Sequence, residues 1–143
     1  MLKKVLLEEC LKINKLIPEY NKEKYSYDYF ASRYKGKNPL LFAAYSEKAP
    51  VGYMISYDKY NDSSFYCWMT GVIPQHRNQG ILKKMMLFLE KTAKKQGYKS
   101  IKLTTRNMRR AMLAYLVKYG YNIIDFSAQS KIKHNKSIWE KEL

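Results

Sequence analysis

The residues best suited to chemistry form a turn between an apolar segment and an amphipathic segment near the middle of the chain. Pro74 ends the apolar segment because proline cannot donate to a strand ladder, and Arg77 and Gly80 follow, before Lys83 and Lys84. If a helix begins at Gly80, its first N–H groups lack partners within the helix and lie at the positive end of the helix dipole. Such groups bind phosphate, and a glycine lets the phosphate approach the backbone. The turn therefore predicts a phosphate site, with an ordinary strand-to-helix connection as the alternative.

The sequence lacks the other common phosphate-binding and metal-binding patterns. It contains neither the Gly-x-x-x-x-Gly-Lys-Ser/Thr pattern of P-loops nor the Gly-x-Gly-x-x-Gly pattern of dinucleotide folds. Cys10 and Cys67 are too few for a disulfide framework, and we expect both to be buried reduced thiols. His76 and His134 have no Cys or second His at ligand spacing, so no metal site is expected.

The pattern of apolar residues predicts the elements that position the turn. After the turn, Ile81, Met85 and Phe88 fall on one helical stripe, with lysines on the opposite face. Predicted helices cover residues 2–19, 26–35, 80–95 and 107–119, and predicted strands cover residues 40–45, 51–57, 64–72, 99–105, 123–126 and 132–139. Hairpins come first and a strand–helix–strand crossover follows, which is typical of an α/β protein (α+β, with a mixed sheet) flanked by about four helices.

Length and composition point to one folded domain. At 143 residues, 46% of them hydrophobic, the chain is able to bury a core, so we expect a single domain over residues 1–143. No apolar run approaches the ~20 residues that a membrane-spanning helix needs. Glu8 and Glu9 interrupt the apolar stretch near the N-terminus, which predicts that the chain has no signal peptide and is cytoplasmic.

The chain is strongly basic, with 27 Lys and Arg residues against 12 Asp and Glu residues and a formal net charge of +15. Residues 83–110 contain ten of these bases and one acid, Glu90. Such a cluster attracts anions, and nucleic acid is the first anion to weigh. A coding bias that also enriches Asn, Tyr and Ile is the other explanation of the overall charge. The sequence has no known reading helix, zinc finger or RNP-type motif, so nucleic-acid binding is the less favoured function.

The turn and its flanks resemble a known family. Val72, Pro74, Arg77 and Gly80 match, in identity and spacing, the V-x-P-x-x-R-x-x-G-x-G/A of motif A in the GNAT (GCN5-related N-acetyltransferase) family. In that family, motif A wraps the pyrophosphate of coenzyme A. Leu82 departs from the motif, because the family usually has Gly or Ala there. A larger side chain at this position is able to crowd the pyrophosphate, although the backbone N–H still donates.

The C-terminal half of the chain also resembles the family. Residues 106–121 are similar to motif B, an Asn-initiated helix that here ends in Lys118-Tyr119-Gly120-Tyr121, and residues 137–143 resemble the final strand. The resemblance covers residues 38–143. The two N-terminal helices fit the family layout by position, and residues 2–6 are the candidate for the family's first strand.

The resemblance implies the GNAT acyl-CoA N-acyltransferase fold and an enzyme that moves an acetyl group from acetyl-CoA directly to an amine. The acceptor would be a small molecule or a protein, with no membrane involved, and the enzyme a monomer or a homodimer. In the family, the pantetheine arm lies between two splayed strands, here residues 65–72 and 99–106, and an N–H of the first faces the thioester oxygen. The residues expected to bind acetyl-CoA are Met69, Val72, Ile73, Arg77, Asn78, Gln79, Gly80, Ile81, Leu82, Lys83 and Asn107.

Proton transfer is the part of the chemistry that the sequence leaves open. Many family members place a Glu on the first splayed strand, but residues 65–72 contain no carboxylate, and Asp58 and Asp62 precede that strand. The family tyrosine that protonates the leaving thiolate corresponds here to Leu116. Tyr115 is one residue away, which rotates it by ~100° around the helix, and it is the expected general acid.

The acceptor site of the family borders the N-terminal helices, where this chain has many tyrosines. Tyr20, Arg33 and Trp68 are the candidate acceptor contacts, whereas packing of the helices on the sheet is the alternative role of the aromatic residues. The departures at Leu82, at the missing Glu and at the displaced tyrosine leave one more hypothesis open. In it, the chain binds acyl-CoA as a sensor without turnover.

Overall fold

A mixed β-sheet with four helices makes up the residues that the computed structural model describes, 1–20 and 25–143. The strands are β1 (Leu2–Lys4), β2 (Leu40–Ser46), β3 (Ala49–Tyr57), β4 (Ser64–Val72), β5 (Ser100–Arg106), β6 (Asn122–Ser127) and β7 (Lys136–Glu142). The helices are α1 (Leu7–Asn14), α2 (Tyr27–Tyr34), α3 (Ile81–Lys95) and α4 (Arg110–Lys118), with short 3-10 turns at Pro74–His76 and Ile132–His134. None of the helices in these two ranges is long and apolar enough to cross a membrane.

The order of strands across the sheet is β1-β2-β3-β4-β5-β7-β6. Neighbouring strands run antiparallel except β4 and β5, which run parallel. Parallel neighbours need a crossover connection, and α3 supplies it. The motif-bearing turn between β4 and α3 therefore lies at the carboxyl end of β4, beside the one parallel pair of the described sheet.

The N-terminal segment differs from its prediction as a helix over residues 2–19. Residues Leu2 to Lys4 pair antiparallel with Phe42 to Ala44, and the helix α1 begins only at Leu7. The N–H of Val5 also donates to the carbonyl of Leu41, at 3.2 Å. A short segment is able to join the open edge of β2, and these long-range backbone bonds override the helical pattern of the local sequence. The sheet thus has the first strand that the family layout requires.

The C-terminal segment also differs from its prediction as a strand over residues 132–139. Residues Ile132–His134 form a 3-10 turn, and β7 begins later and extends to Glu142. Strand β7 inserts between β5 and β6, so that Trp139 pairs with both Leu103 and Ile123. Trp139 is consequently buried in the core.

Apolar cores cover both faces of the sheet. On one face, Met85, Met86 and Leu89 of α3 pack against residues of β2 to β5. On the other face, the buried residues of α1 and α2 pack against Ala43, Tyr53 and Ile55. The thiols of Cys10 and Cys67 are free and buried, and burial raises the pKa of each to about 12, which makes them unreactive.

Candidate active site

A gap opens in the sheet where β4 and β5 separate. Their parallel ladder covers four residue pairs, from Ser64↔Ser100 to Cys67↔Leu103, although both strands continue further. The pairing of β4 with β3 is irregular at the same level, because Ile55 pairs with Met69 and Ser56 pairs with Cys67. Trp68 is therefore the extra residue of a bulge, and a bulge bends its strand and increases its twist. The bulge turns the second half of β4 away from β5.

A cavity of about 900 Å³ adjoins this gap. The end of β4, the turn into α3 and the exposed side of α4 form its walls, with the segment after α1 opposite them. The predicted site residues that line the cavity are Tyr20, Val72, Arg77, Asn78, Gly80, Ile81, Leu82, Lys83 and Tyr115. The predicted residues outside its lining are Arg33, Trp68, Met69, Ile73, Gln79 and Asn107.

The start of α3 presents a row of backbone donors to the cavity. Gly80 is the residue before the helix and has φ 79°, and Asn78 has φ 61°, so the backbone is left-handed at both positions. The first bond of the helix runs from the N–H of Lys84 to the carbonyl of Gly80. The N–H groups from Gly80 to Lys83 have no protein acceptor in the described part of the chain. A Cβ built on Gly80 meets no atom within 4 Å, so the space above the backbone is open.

The side chain of Leu82 avoids most of this space. Leu82 is partly buried against the core on the α3 face while one side of it lines the cavity. The expected crowding by this side chain is consequently limited, and its N–H still lies in the first turn of α3.

The second half of β4 turns two further N–H groups towards the gap. The N–H of Ile73 donates to the carbonyl of Val51 on β3, at 2.9 Å. The N–H and C=O groups of successive residues point to opposite edges of a strand. Those of Met69 therefore also point to β3, while those of Thr70 and Val72 point to the gap. The N–H groups of Met69 and Ile73 are therefore used inside the sheet. Those of Thr70 and Val72 point to where β5 has separated.

Side chains already occupy the two carbonyl groups on this edge of β4. The hydroxyl of Tyr20 donates to the carbonyl of Thr70 at 2.9 Å, and Nε of Arg77 donates to the carbonyl of Val72 at 3.0 Å. Both side chains thereby fix the edge and leave its N–H groups as the remaining polar groups.

An ion pair that the sequence did not predict joins Arg77 to Glu19. The guanidinium donates to both carboxylate oxygens, at 3.1 and 2.6 Å, across 58 residues of sequence. The hydrogen bond from Arg77 lowers the pKa of Glu19, so this carboxylate is ionised at neutral pH. Among the described residues that line the cavity, Glu19 is the only acid. The other ionic groups of the wall are cations: Lys83, Arg109, Arg110 and Lys118.

Helix α4 brings two tyrosines to the cavity wall. Leu116, the family's tyrosine position, is fully buried in the core. Tyr115 is half-buried and lines the cavity, and its ring centre lies 4.5 Å from that of Tyr119. Burial, with the nearby charge of Glu90, raises the pKa of Tyr115 above its ordinary value. Its phenol therefore keeps its proton at neutral pH and is able to donate it.

Asn107 does not reach the cavity because two bonds hold it elsewhere. Its side-chain Nδ2 donates to the carbonyl of Ile132, and its N–H donates to the carbonyl of Asn135, both at 3.0 Å. Asn107 therefore anchors the connection between β6 and β7. Helix α4 begins later than predicted, at Arg110, with Arg109 as its first flanking residue.

The two aspartates before β4 are engaged in other contacts. Asp62 forms an ion pair with Lys102 at 2.7 Å and accepts hydrogen bonds from Ser64, and the pKa of Asp62 falls to about 2, chiefly through the bond from Lys102. Asp58 accepts from the hydroxyl of Tyr98 and from the N–H of Asn61, both at 3.0 Å. Neither carboxylate lines the cavity.

A comparison of the sequence with models of protein families supports the interpretation of the gap and the turn. The model described as "Acetyltransferase (GNAT) family" matches residues 7–121. The chain belongs to this family. This match confirms the family resemblance and the assignment as an enzyme that the sequence predicted. The sheet and helices described above confirm the predicted fold class of this GNAT acetyltransferase. No curated protein matches its sequence.

Solved structures of other acetyltransferases share the fold of this GNAT acetyltransferase. The IAA acetyltransferase of Bacillus cereus ATCC 14579 superposes with a TM-score of 0.81 at 16% identity, covering 100% of this chain and 99% of that one. The ribosomal-protein-S18-alanine N-acetyltransferase of Escherichia coli gives a TM-score of 0.81 at 16% identity, covering 99% and 92%. The PaiA N-acetyltransferase of Thermoplasma acidophilum, in complex with coenzyme A, gives 0.76 at 16% identity, covering 100% and 98%.

Proposed function

We propose that this protein transfers the acetyl group of acetyl-CoA directly to the amine of a small molecule or a protein. The observation that carries the proposal is the row of unpaired N–H groups from Gly80 to Lys83 at the wall of a cavity of about 900 Å³. Membership of the acetyltransferase family supports it, and so does the coenzyme A bound to the Thermoplasma relative of the same fold.

The donors at the start of α3 suit the diphosphate of coenzyme A. Several N–H groups converge at the positive end of a helix of 15 residues, and an anion there accepts several hydrogen bonds at once. The cations Lys83, Arg109 and Arg110 surround the same cavity and favour a ligand with several negative charges. Arg77 contributes less than a free guanidinium would, because Glu19 already neutralises it.

The gap beside β4 suits the pantetheine arm. An extended amide chain is able to add to β4 where β5 has separated, with the N–H groups of Thr70 and Val72 as donors. The thioester would then lie near the bulge at Trp68, where the strands begin to diverge. A β4 N–H close to that level would stabilise the negative charge that develops on the carbonyl oxygen.

Acetyl transfer removes one proton from the amine and supplies one to sulfur. The amine nitrogen forms a bond to the carbonyl carbon, the carbon–sulfur bond breaks, and the proton that nitrogen loses balances the one that sulfur gains. Tyr115 is the proposed donor to sulfur, because its phenol lines the cavity and is protonated at neutral pH. In this proposal no carboxylate acts as general base, and the amine gives its proton to solvent.

The sensor hypothesis rests on specific features of the site. Leu116 is buried in place of the family's tyrosine, and β4 carries no carboxylate, so such a chain would bind acyl-CoA without turning it over. Nucleic-acid binding rests on the net charge of +15 and on the basic cluster in residues 83–110. The cytoplasmic location and the choice between monomer and homodimer stay predictions from the sequence.

One set of measurements separates these functions. Thermal unfolding is followed with acetyl-CoA, with coenzyme A and with a short oligonucleotide. A ligand at 100 times its dissociation constant stabilises the fold by about 2.7 kcal/mol. We expect both coenzymes to raise the melting temperature and the oligonucleotide to leave it unchanged at physiological salt. Release of thiol with a panel of amines then distinguishes an enzyme from a sensor, and no shift with either coenzyme would overturn both.

A further inference from the structure

Arg33 and Lys59 each lie over an aromatic ring near the bulge of β4, and two further lysines lie near Lys59. The guanidinium of Arg33 lies 4.8 Å from the centre of the Trp68 ring. The ammonium of Lys59 lies 4.4 Å from the centre of the Tyr66 ring. We call this group the Arg33 cluster, and its members are Arg33, Lys37, Lys59 and Lys136 with the rings of Tyr57, Tyr66 and Trp68.

Within the Arg33 cluster, the other cations act against the charged form of Lys59. Burial and then the charges of Arg33, Lys136 and Lys37 lower the pKa of the half-buried Lys59. Contacts with aromatic faces compensate part of the repulsion, and Arg33 also donates to the hydroxyl of Tyr29 at 3.2 Å. A group of like charges favours the binding of an anion near them.

No protein carboxylate fills that role in the described part of the chain. Its three side-chain ion pairs are Arg77–Glu19, Lys102–Asp62 and Lys141–Glu90, and none includes a cation of the Arg33 cluster. The nearby acids have other partners. Asp62 binds Lys102, Asp58 accepts from Tyr98, and Glu140 accepts from the hydroxyl of Ser100.

The Arg33 cluster borders the point where the acetyl group would be transferred. Trp68 is the bulged residue at which β4 leaves β5, and it precedes by two residues the N–H of Thr70 that faces the gap. Two residues of a strand span about 7 Å. A small molecule with its anionic end at Arg33 therefore reaches the thioester with an amine a few bonds away.

We propose that the Arg33 cluster is the specificity site for the acceptor, and that it binds a carboxylate or a phosphate on a small molecule that also carries the reacting amine. The inference rests on the proposed acetyl transfer and names its substrate class. The aromatic rings pack against the apolar part of the acceptor, and the guanidinium and the ammonium bind its anionic end. Polyamines and basic peptides are disfavoured because the same cations repel them.

Matched pairs of amines test the proposal through thiol release. One pair is 4-aminobutyrate and its amide, and the other is 2-aminoethyl phosphate and ethanolamine, with spermidine as a cationic amine. We expect kcat/KM to favour an anionic member by at least tenfold, because a charge-assisted bond is lost in its neutral partner. The pair with the larger preference identifies carboxylate or phosphate as the bound group.

Variants connect this preference to the Arg33 cluster. In Arg33→Gln and in Lys59→Gln the preference should fall about tenfold, mainly through KM of the acceptor, while KM of acetyl-CoA is unchanged. Lys94→Gln, an exposed lysine of α3 outside the cavity, is the matched control and should retain the preference. Melting temperatures establish that each variant is folded, and Lys59→Gln carries the test if Arg33→Gln unfolds.

A binding measurement that needs no acetyl transfer tests the inference independently of the proposed function. Trp68 and the buried Trp139 are the two tryptophans, so an anion at Arg33 changes the emission of Trp68. With coenzyme A present, N-acetyl-4-aminobutyrate and inorganic phosphate should quench saturably and the N-acetyl amide should not. Trp68→Phe should abolish the change. Anion binding without acetylation of any amine would overturn the proposed function alone. Acetylation without preference for an anionic amine, together with unchanged emission, would overturn the inference alone.

Discussion

At Gly80 the backbone is left-handed, and the space above its Cα must be free for a phosphate. Its φ is 79°, and a phosphate bound to α3 would lie in the open space above its Cα. Asn and Asp both tolerate this backbone conformation, so both substitutions should fold. They differ in charge, which makes them a matched pair.

Gly80→Asp should therefore bind acetyl-CoA at least tenfold more weakly than Gly80→Asn. The carboxylate would stand against the diphosphate at a site where the protein supplies mostly positive charge. Isothermal titration of both variants measures the difference. Equal affinities would mean that the diphosphate does not lie at this turn.

Tyr115 is the residue on which proton transfer to the thiolate depends. Tyr115→Phe should lower kcat by about 10-fold to 100-fold and leave KM of acetyl-CoA unchanged, because general acids contribute at least this much. Tyr119→Phe, whose ring centre lies 4.5 Å away, is the control and should retain kcat. A loss of equal size in both variants would assign Tyr115 a packing role.

The pH dependence follows from the same residue. The pKa of Tyr115 is raised, so its acidic form persists beyond the pH near ~10 at which an exposed tyrosine ionises. The rate with a primary amine should rise with pH up to the pKa of the amine, because only the neutral amine attacks. We expect no descending limb up to pH ~10 in a profile of kcat/KM, and one centred below pH 9 would indicate a different acid.

At the scale of elements, the site depends on how the segment after α1 packs against the end of β4. A Cβ on Gly71 would lie 2.4 Å from Cδ1 of Ile17 and 3.1 Å from the ring of Tyr20. The absence of a side chain at Gly71 thus lets residues 17–20 approach β4, which brings Tyr20 and Glu19 to the cavity.

Gly71→Ala should destabilise the fold by about 1–3 kcal/mol, as overpacking of a core does, and should weaken binding of acetyl-CoA. Ile17→Val removes the Cδ1 atom that the new methyl group meets. The double variant should therefore be more stable than the two single effects predict when added, and chemical denaturation of all four proteins measures this coupling. Additive effects would show that Ile17 is not the obstacle.

At the scale of the whole molecule, the charge of +15 should act on coenzyme binding through long-range attraction. Salt screens such attraction, with a Debye length of about 10 Å at 0.1 M and about 3 Å at 1 M. The dissociation constant of acetyl-CoA should therefore increase several-fold over that range of salt. S-acetylpantetheine, which lacks the phosphates, is the control ligand and should bind with little dependence on salt. An equal dependence on salt for both ligands would mean that the protein's charge does not act through the phosphates of the coenzyme.

The sequence by itself determined the local features of this protein. The proline, arginine and glycine of the turn, the period of α3 and the apolar strands β2 to β5 are patterns within a few residues, and such patterns encode local backbone conformation. The family followed from the same residues. The missing carboxylate on β4 and the leucine at position 116 were also evident, because each is a matter of residue identity.

Only the tertiary structure decided which distant groups meet. Pairing of residues 2–4 with β2, insertion of β7 between β5 and β6, and the bond from Asn107 to Ile132 all depend on strand edges and loops from elsewhere in the chain. The same holds for Glu19 against Arg77 and for Arg33 over Trp68. Contacts between residues far apart in sequence form only when folding of the sheet brings the two ends of the intervening chain together. Local sequence patterns do not encode which ends meet.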